Sequence, residues 1–288
     1  MLAAPPSPAD TFGDYRLDRV LGEGASATVH LAQHRQGGHW VALKILAPQG
    51  RTDAQADARE RFVREAEIVR RLHHPGIVAI HDVGQTDGRL WLAMEAVPGC
   101  SLERYVHGKR LLPPALVARI GERVARALAY AHEHGVVHRD LKPANVLVDW
   151  PSDTVKVADL GLARSADAAQ TATGLVLGTP AYMAPEQLAG SVPNAATDLY
   201  ALGVMLYQLV AGRLPHDGAT MGELLRQVAR EPAPDLLQLQ PGTPPALAAQ
   251  IARLMAKRAA ERPASAQAAA DALGALERAL RDAGTGSR

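Results

Sequence analysis

Two short segments hold the residues best suited to chemistry. "HRDLKPAN", His138 to Asn145, lies between the end of a helical stretch and the apolar run "VLV". "VKVADLG" follows and closes a second apolar run on Asp159. Asp140, Asn145 and Asp159 therefore fall on loops at strand ends, where rigid scaffolds place reacting groups. Asn145 and Asp159 offer hard oxygen ligands, the kind magnesium takes alongside nucleotide phosphates. Asp140 has basic neighbours, Arg139 and Lys142. That combination suits a carboxylate receiving a hydroxyl proton while a lysine stabilises a transferring phosphate.

Lys44 sits in "WVALKIL", inside an apolar strand pattern, where an ammonium is costly without a partner. The following helical stretch, "ARERFVREAEIVRRLHH", carries Phe62, Ala66, Val69 and Leu72 as one apolar stripe. Glu65 lies on that stripe, whereas Glu60 and Glu67 suit a solvated face. The expectation is a Lys44–Glu65 ion pair that leaves Lys44 able to reach phosphate oxygens. Further upstream, "VLGEGASATVHLA" has Gly22 and Gly24 of a G-x-G-x-x-G pattern, with Ala27 in the third place. In a dinucleotide fold such a loop opens a helix. Here Val29 and Leu31 alternate with polar residues, which favours a strand. Taken alone the pattern also fits an ordinary hairpin turn. A glycine loop between antiparallel strands can fold over phosphates and offer bare backbone N–H groups.

The elements that must position these residues divide in two. From Tyr15 to about Val97 the chain reads as strands, interrupted by one helix over about Asp53–Leu72. From about Ser101 onward it is mainly helical, with two short strands around the polar loops of "HGVVHRDLKPANVLVDWPSDTVKVADLGLA". The expected boundaries are a disordered lead-in over 1–14, a β-rich part over 15–97, an α-rich part over 98–280 and a tail over 281–288. The chain has 288 residues, 47% of them hydrophobic, and a net charge of +1. Those values fit a globular protein with a large core and argue against a nucleic-acid partner. One cysteine, Cys100, excludes an internal disulfide framework and a multi-cysteine zinc site. The N-terminus has no positive n-region before an apolar run, so no secretory signal is read there. "LYALGVMLYQLVAG", Leu199 to Gly212, is too short to span a membrane and reads as a buried core helix.

In order along the chain stand "GEGASATV", "VALK", a helix glutamate, "HRDLKPAN", "DLG", "APE", "DLYALG" and a late "RP". This set resembles the eukaryotic-type serine/threonine protein kinases, in particular their bacterial branch. The resemblance implies an α+β, bilobal protein-kinase fold, with a small β-rich N-lobe holding one main helix and a larger helical C-lobe. It implies an ATP-dependent phosphotransferase acting on protein Ser/Thr hydroxyls, with Mg2+ (or Mn2+) as the metal. By the resemblance, Leu21, Gly22 and Gly24 cover the ATP phosphates. Lys44 contacts them and is held by Glu65. Met94 is the gatekeeper, the backbone of Glu95 and Val97 binds adenine, and Val29, Ala42 and Leu147 sandwich it. Asp140 is the catalytic base, Lys142 neutralises the transferring phosphate, and Asn145 and Asp159 hold the metal. Thr179 contacts Asp140, Glu186 pairs with Arg262, and Asp198 anchors the catalytic loop.

Two departures from the family pattern are mild. Ala27 adds one methyl in place of the third glycine, and Leu160 keeps an apolar side chain after Asp159. The segment from Arg164 to Thr179 holds Ser165, Thr171 and Thr173, and autophosphorylation at Thr171 or Thr173 with docking on Arg139 is expected. Partners implied are protein substrates and a second copy of the chain for that autophosphorylation, in the cytoplasm. His132, His134 and His138 read as a polar helix end and a packed motif residue, not a zinc site. A non-catalytic scaffold of the same fold is disfavoured by the retention of Lys44, Glu65, Asp140, Asn145 and Asp159. A small-molecule kinase is disfavoured by "GTPAYMAPE" and Arg262.

Overall fold

A computed structural model describes residues 11–24, 27–47, 53–107, 111–161 and 180–285. It is α+β and divides into two compact units. One contains the described residues to His73 together with Val78–Pro98, and the other contains His74–Ile77 with the described residues from Gly99 onward.

The first unit is an antiparallel sheet in the order β1-β2-β3-β4-β6-β5. Its strands are β1 (Thr11–Phe12), β2 (Tyr15–Glu23), β3 (Ala27–His34), β4 (Trp40–Leu46), β5 (Ile80–Thr86) and β6 (Arg89–Glu95). The helix α1 (Asp53–Arg70) packs against β5. Thr11 and Phe12, expected in the lead-in, instead pair with β2, because Phe12 joins the apolar cluster on one sheet face. That cluster includes Tyr15, Ala32, Val41, Leu43, Ile45 and Ala93. Successive side chains of a strand point to opposite faces. The other face therefore carries two cross-strand rows, Val29–Lys44–Leu92 and Leu31–Ala42–Met94. On α1 the stripe is as expected: Phe62, Ala66, Val69 and Leu72 are buried. Glu60 and Glu67 pair with Arg64 and Arg70 along the helix surface.

The second unit begins with a small sheet, β7 (Cys100–Ser101), β8 (Val146–Asp149) and β9 (Thr154–Val157), in that order. Gly99 enters it at φ +100°, and a Cβ there would lie 2.1 Å from the Val148 carbonyl oxygen. Only glycine permits that approach. The helices are α2 (Pro114–Glu133), α3 (Pro185–Leu188), α4 (Ala195–Ala211), α5 (Met221–Arg230), α6 (Leu236–Leu239), α7 (Pro245–Leu254) and α8 (Ala266–Thr285). As expected of "LYALGVMLYQLV", α4 is buried all round, from Thr197 to Val210. It is capped by Asn194, whose side chain accepts from the Ala196 N–H. α2 packs on α4 and α8, and α7 closes on α4. α8 runs through Thr285, into the segment expected as a tail. Among the described residues, no helix is long and apolar enough to cross a membrane.

Candidate active site

The loop after α2 is fixed by one buried carboxylate. Asp198, in the first turn of α4, is 1% exposed. Its Oδ2 accepts from the His138 N–H and from His132 Nε2, each at 2.8 Å. Its Oδ1 accepts from the Arg139 N–H at 2.9 Å. These bonds hold Arg139 at φ +71°, a left-handed conformation costly for a bulky residue. His132, read from sequence as part of a polar helix end, is in fact packed against Asp198. Its partner lies 66 residues away, so local polarity gave no sign of it.

His138 is fully buried and ties the same loop to β9. Its Nδ1 accepts from the Asp140 N–H at 3.3 Å, so Nε2 carries the proton and donates to the Ala158 carbonyl at 3.0 Å. The Ala158 N–H donates to the Asn145 carbonyl at 2.8 Å. Asp159 follows at φ +57°, with Leu160 buried behind it and the Gly161 N–H on the His138 carbonyl. Loop, strand end and Asp159 are thus one hydrogen-bonded assembly.

Within it, Lys142 Nζ donates to Asp140 Oδ2 at 2.7 Å. The Asn145 amide nitrogen donates to the Asp140 carbonyl at 2.8 Å and to its Oδ2 at 3.3 Å. Among the described residues, Asp140 Oδ1 has no partner, which leaves one carboxylate oxygen for an incoming hydroxyl. With its nitrogen turned to Asp140, Asn145 keeps its amide oxygen as an acceptor. That oxygen and the Asp159 carboxylate are both hard-oxygen donors by type. Magnesium is usually held by one or two carboxylates plus substrate phosphates, not by a full protein cage. The residues fit that pattern, and among the described residues no cluster of three or more His, Cys, Asp or Glu could hold a metal alone.

An ion pair between buried Arg262 and half-buried Glu186 braces the start of α4, which carries Asp198. Arg262 donates to both Glu186 oxygens, at 2.6 and 2.9 Å, and to the carbonyls of Ala196 and Ala256. Burial alone would raise the Glu186 carboxyl, but the Arg262 bond holds it below the usual range. Tyr182, half-buried with the Glu103 and Asp140 charges nearby, donates its hydroxyl to Gln208 of α4. Sequence reading missed Gln208, because it sits inside an otherwise apolar helix.

The other expected residues lie in the first unit. Val29, Ala42, Lys44 and Met94 share one sheet face, as the register requires. Lys44 and Glu65 are each half-buried, on β4 and α1. The Glu95 N–H is engaged by the Ala79 carbonyl at 2.8 Å, and Val97 follows β6 half-buried. Leu21 and Gly22 are exposed at the end of β2. The hairpin closes with the Gly24 N–H on the Ala27 carbonyl at 2.9 Å. A Cβ at Gly22 would meet nothing within 4 Å, and one at Gly24 only the Ala27 oxygen at 3.7 Å. Among the described residues nothing fills the space beside these glycines, which leaves their backbone accessible to a ligand. In the second unit Leu147 is half-buried on β8. Ser165, Thr171, Thr173 and Thr179 lie outside the described residues.

The protein kinase domain profile matches residues 15–273. The chain is 42% identical over 258 residues to the serine/threonine-protein kinase PknJ of Mycobacterium tuberculosis, covering 87% of this chain and 43% of that protein. It thus spans about two-fifths of the length of this relative. Among solved structures, the M. tuberculosis PknI kinase domain superposes with a TM-score of 0.75 at 34% identity, covering 94% of this chain and 98% of that one. Rad53 1–466 in complex with AMP-PNP gives a TM-score of 0.74 at 28% identity, over 90% of this chain and 64% of that one. The protein therefore belongs to the protein kinase domain family, in the serine/threonine group to which its bacterial relatives belong.

Proposed function

We propose that the chain transfers the γ-phosphoryl group of ATP to serine and threonine hydroxyls of proteins. The observation that carries this reading is Asp140, whose Oδ2 is held by Lys142 at 2.7 Å while its Oδ1 has no partner among the described residues. The substrate hydroxyl oxygen attacks the γ-phosphorus as its proton passes to Asp140. The bond from that phosphorus to the bridging oxygen breaks, and ADP departs. Lys142 stabilises charge on the moving phosphoryl group. Asn145 and Asp159 hold the metal, magnesium or manganese, which supplies charge neutralisation at the phosphates. On the sheet, Lys44 contacts the ATP phosphates and pairs with Glu65, beneath the hairpin of Leu21, Gly22 and Gly24. Val29, Ala42 and Leu147 flank adenine, with Met94 beside it and the Glu95 and Val97 backbone along its edge. The AMP-PNP complex of the similar Rad53 fragment supports an adenine nucleotide in this role.

Finer parts of the reading concern regulation. The family resemblance assigns Thr179 to Asp140, and it supports phosphorylation of Thr171 or Thr173 by a second copy of the chain, with Arg139 as the docking residue. Use of ATP as donor supports a cytoplasmic site of action. The test is incubation with γ-labelled ATP, magnesium and a generic protein acceptor, followed by identification of the labelled amino acid. Phosphoserine or phosphothreonine is expected. Label on tyrosine or only on small molecules, or no label while nucleotide still binds, overturns the proposal.

A further inference from the structure

We propose that the sheet face opposite Lys44 carries a second site, for a phosphate group, built from Arg89, His30 and Thr28. Register sets the placement. Thr28 and His30 alternate with Val29 on β3 and stand opposite Ile45 and Leu43 of β4. Trp91 of β6 pairs with Ile45, and Arg89 lies two residues before it on the same face. The three polar residues line a cavity of about 210 Å3 with Ala27, Ile45 and Leu46, and Gly24 at its edge.

Their chemistry is unspent. Among the described residues, the side chains of Thr28, His30 and Arg89 make no hydrogen bond or ion pair; Thr28 and His30 use only their backbones, in the β-ladder. Arg89 stacks its guanidinium 4.8 Å above the Phe12 ring. Stacking uses the flat face of the guanidinium and leaves its in-plane N–H donors available. A guanidinium, an imidazole and a hydroxyl thus border one small space. Three kinds of donor suit a group with three terminal oxygens better than a two-oxygen carboxylate. Burial lowers the His30 pKa against the opposing pull of Glu23, so the positive charge of the site comes from Arg89. The remaining lining of Ala27, Ile45 and Leu46 is apolar, which suits a small alkyl group such as the threonine methyl.

The phosphate can come free from solution or on a phosphorylated side chain. Isothermal titration of the whole chain with inorganic phosphate, O-phosphothreonine and threonine separates these sources. Both phosphates are expected to bind and threonine is not. Tighter phosphothreonine binding points to a side chain, and equal binding to free phosphate. Arg89→Ala should weaken binding about tenfold or more, and His30→Ala about severalfold. Arg258→Ala, an exposed arginine outside both sites, should leave it unchanged. Arg89→Gln keeps a planar group over Phe12 without the charge and decides the matter if Arg89→Ala does not fold. Unaltered affinity in Arg89→Gln, loss in Arg258→Ala instead, or no heat with either phosphate overturns the proposal.

Discussion

Replacing Asp198 by asparagine tests how the loop is held. The wild-type carboxylate accepts three hydrogen bonds, from His138 N, Arg139 N and His132 Nε2, in a site that is 1% exposed. An asparagine keeps the shape but owns one acceptor oxygen. Its best orientation places that oxygen where Oδ2 was, which retains His138 and His132. The amide nitrogen then faces the Arg139 N–H, donor against donor. A buried donor left unpaired costs about 1–3 kcal/mol, and the two surviving bonds lose their charge assistance at about 1 kcal/mol each. The sum is about 3–5 kcal/mol, read by urea unfolding monitored by circular dichroism. Activity should fall further than stability explains, since Arg139 precedes Asp140. A displacement of about 1 Å there is worth on the order of 100-fold in rate. A stability loss below about 1 kcal/mol, or an unchanged kcat, would refute the assignment of Asp198 as the anchor.

Other outcomes follow from the same geometry. Arg262→Met leaves the Glu186 carboxylate and several carbonyls without their partner and should cost about 3–5 kcal/mol in urea unfolding. Gly99→Ala meets both the +100° φ and the Val148 carbonyl, and thermal melting should show a clear loss of stability. His216 is 4% exposed, and burial followed by the Lys257 ammonium pushes its pKa down to about 4. The folded value lies below the unfolded one, so this contribution is intact above about pH 6.5 and is lost as pH falls toward 4. Between pH 7 and 5 the loss is roughly 2 kcal/mol, and His216→Gln should flatten that part of the profile.

Much of the site was legible because its signals are local. The stripe of Phe62, Ala66, Val69 and Leu72 announced the buried side of α1, and the alternation around Val29 announced β3. Asp198 and the Glu186–Arg262 pair were expected from the family resemblance, and their bonds are in place. What escaped depends on distant partners. His132 and Gln208 acquire meaning only when α2 meets α4 and when Tyr182 meets α4. Thr11 and Phe12 read as part of a disordered lead-in until β2 supplied backbone partners and the sheet an apolar face. The cavity at Arg89 needs strand register, because its residues come from β3, β4 and β6.

The central claim is that Asp140 receives the proton of a protein hydroxyl while phosphate moves. Single-turnover phosphorylation of a protein acceptor by wild type and Asp140→Asn, with ADP affinity measured on both, addresses it directly. The account predicts unchanged ADP affinity and a rate lower by about 100- to 10,000-fold. Equal rates in the two proteins would contradict it.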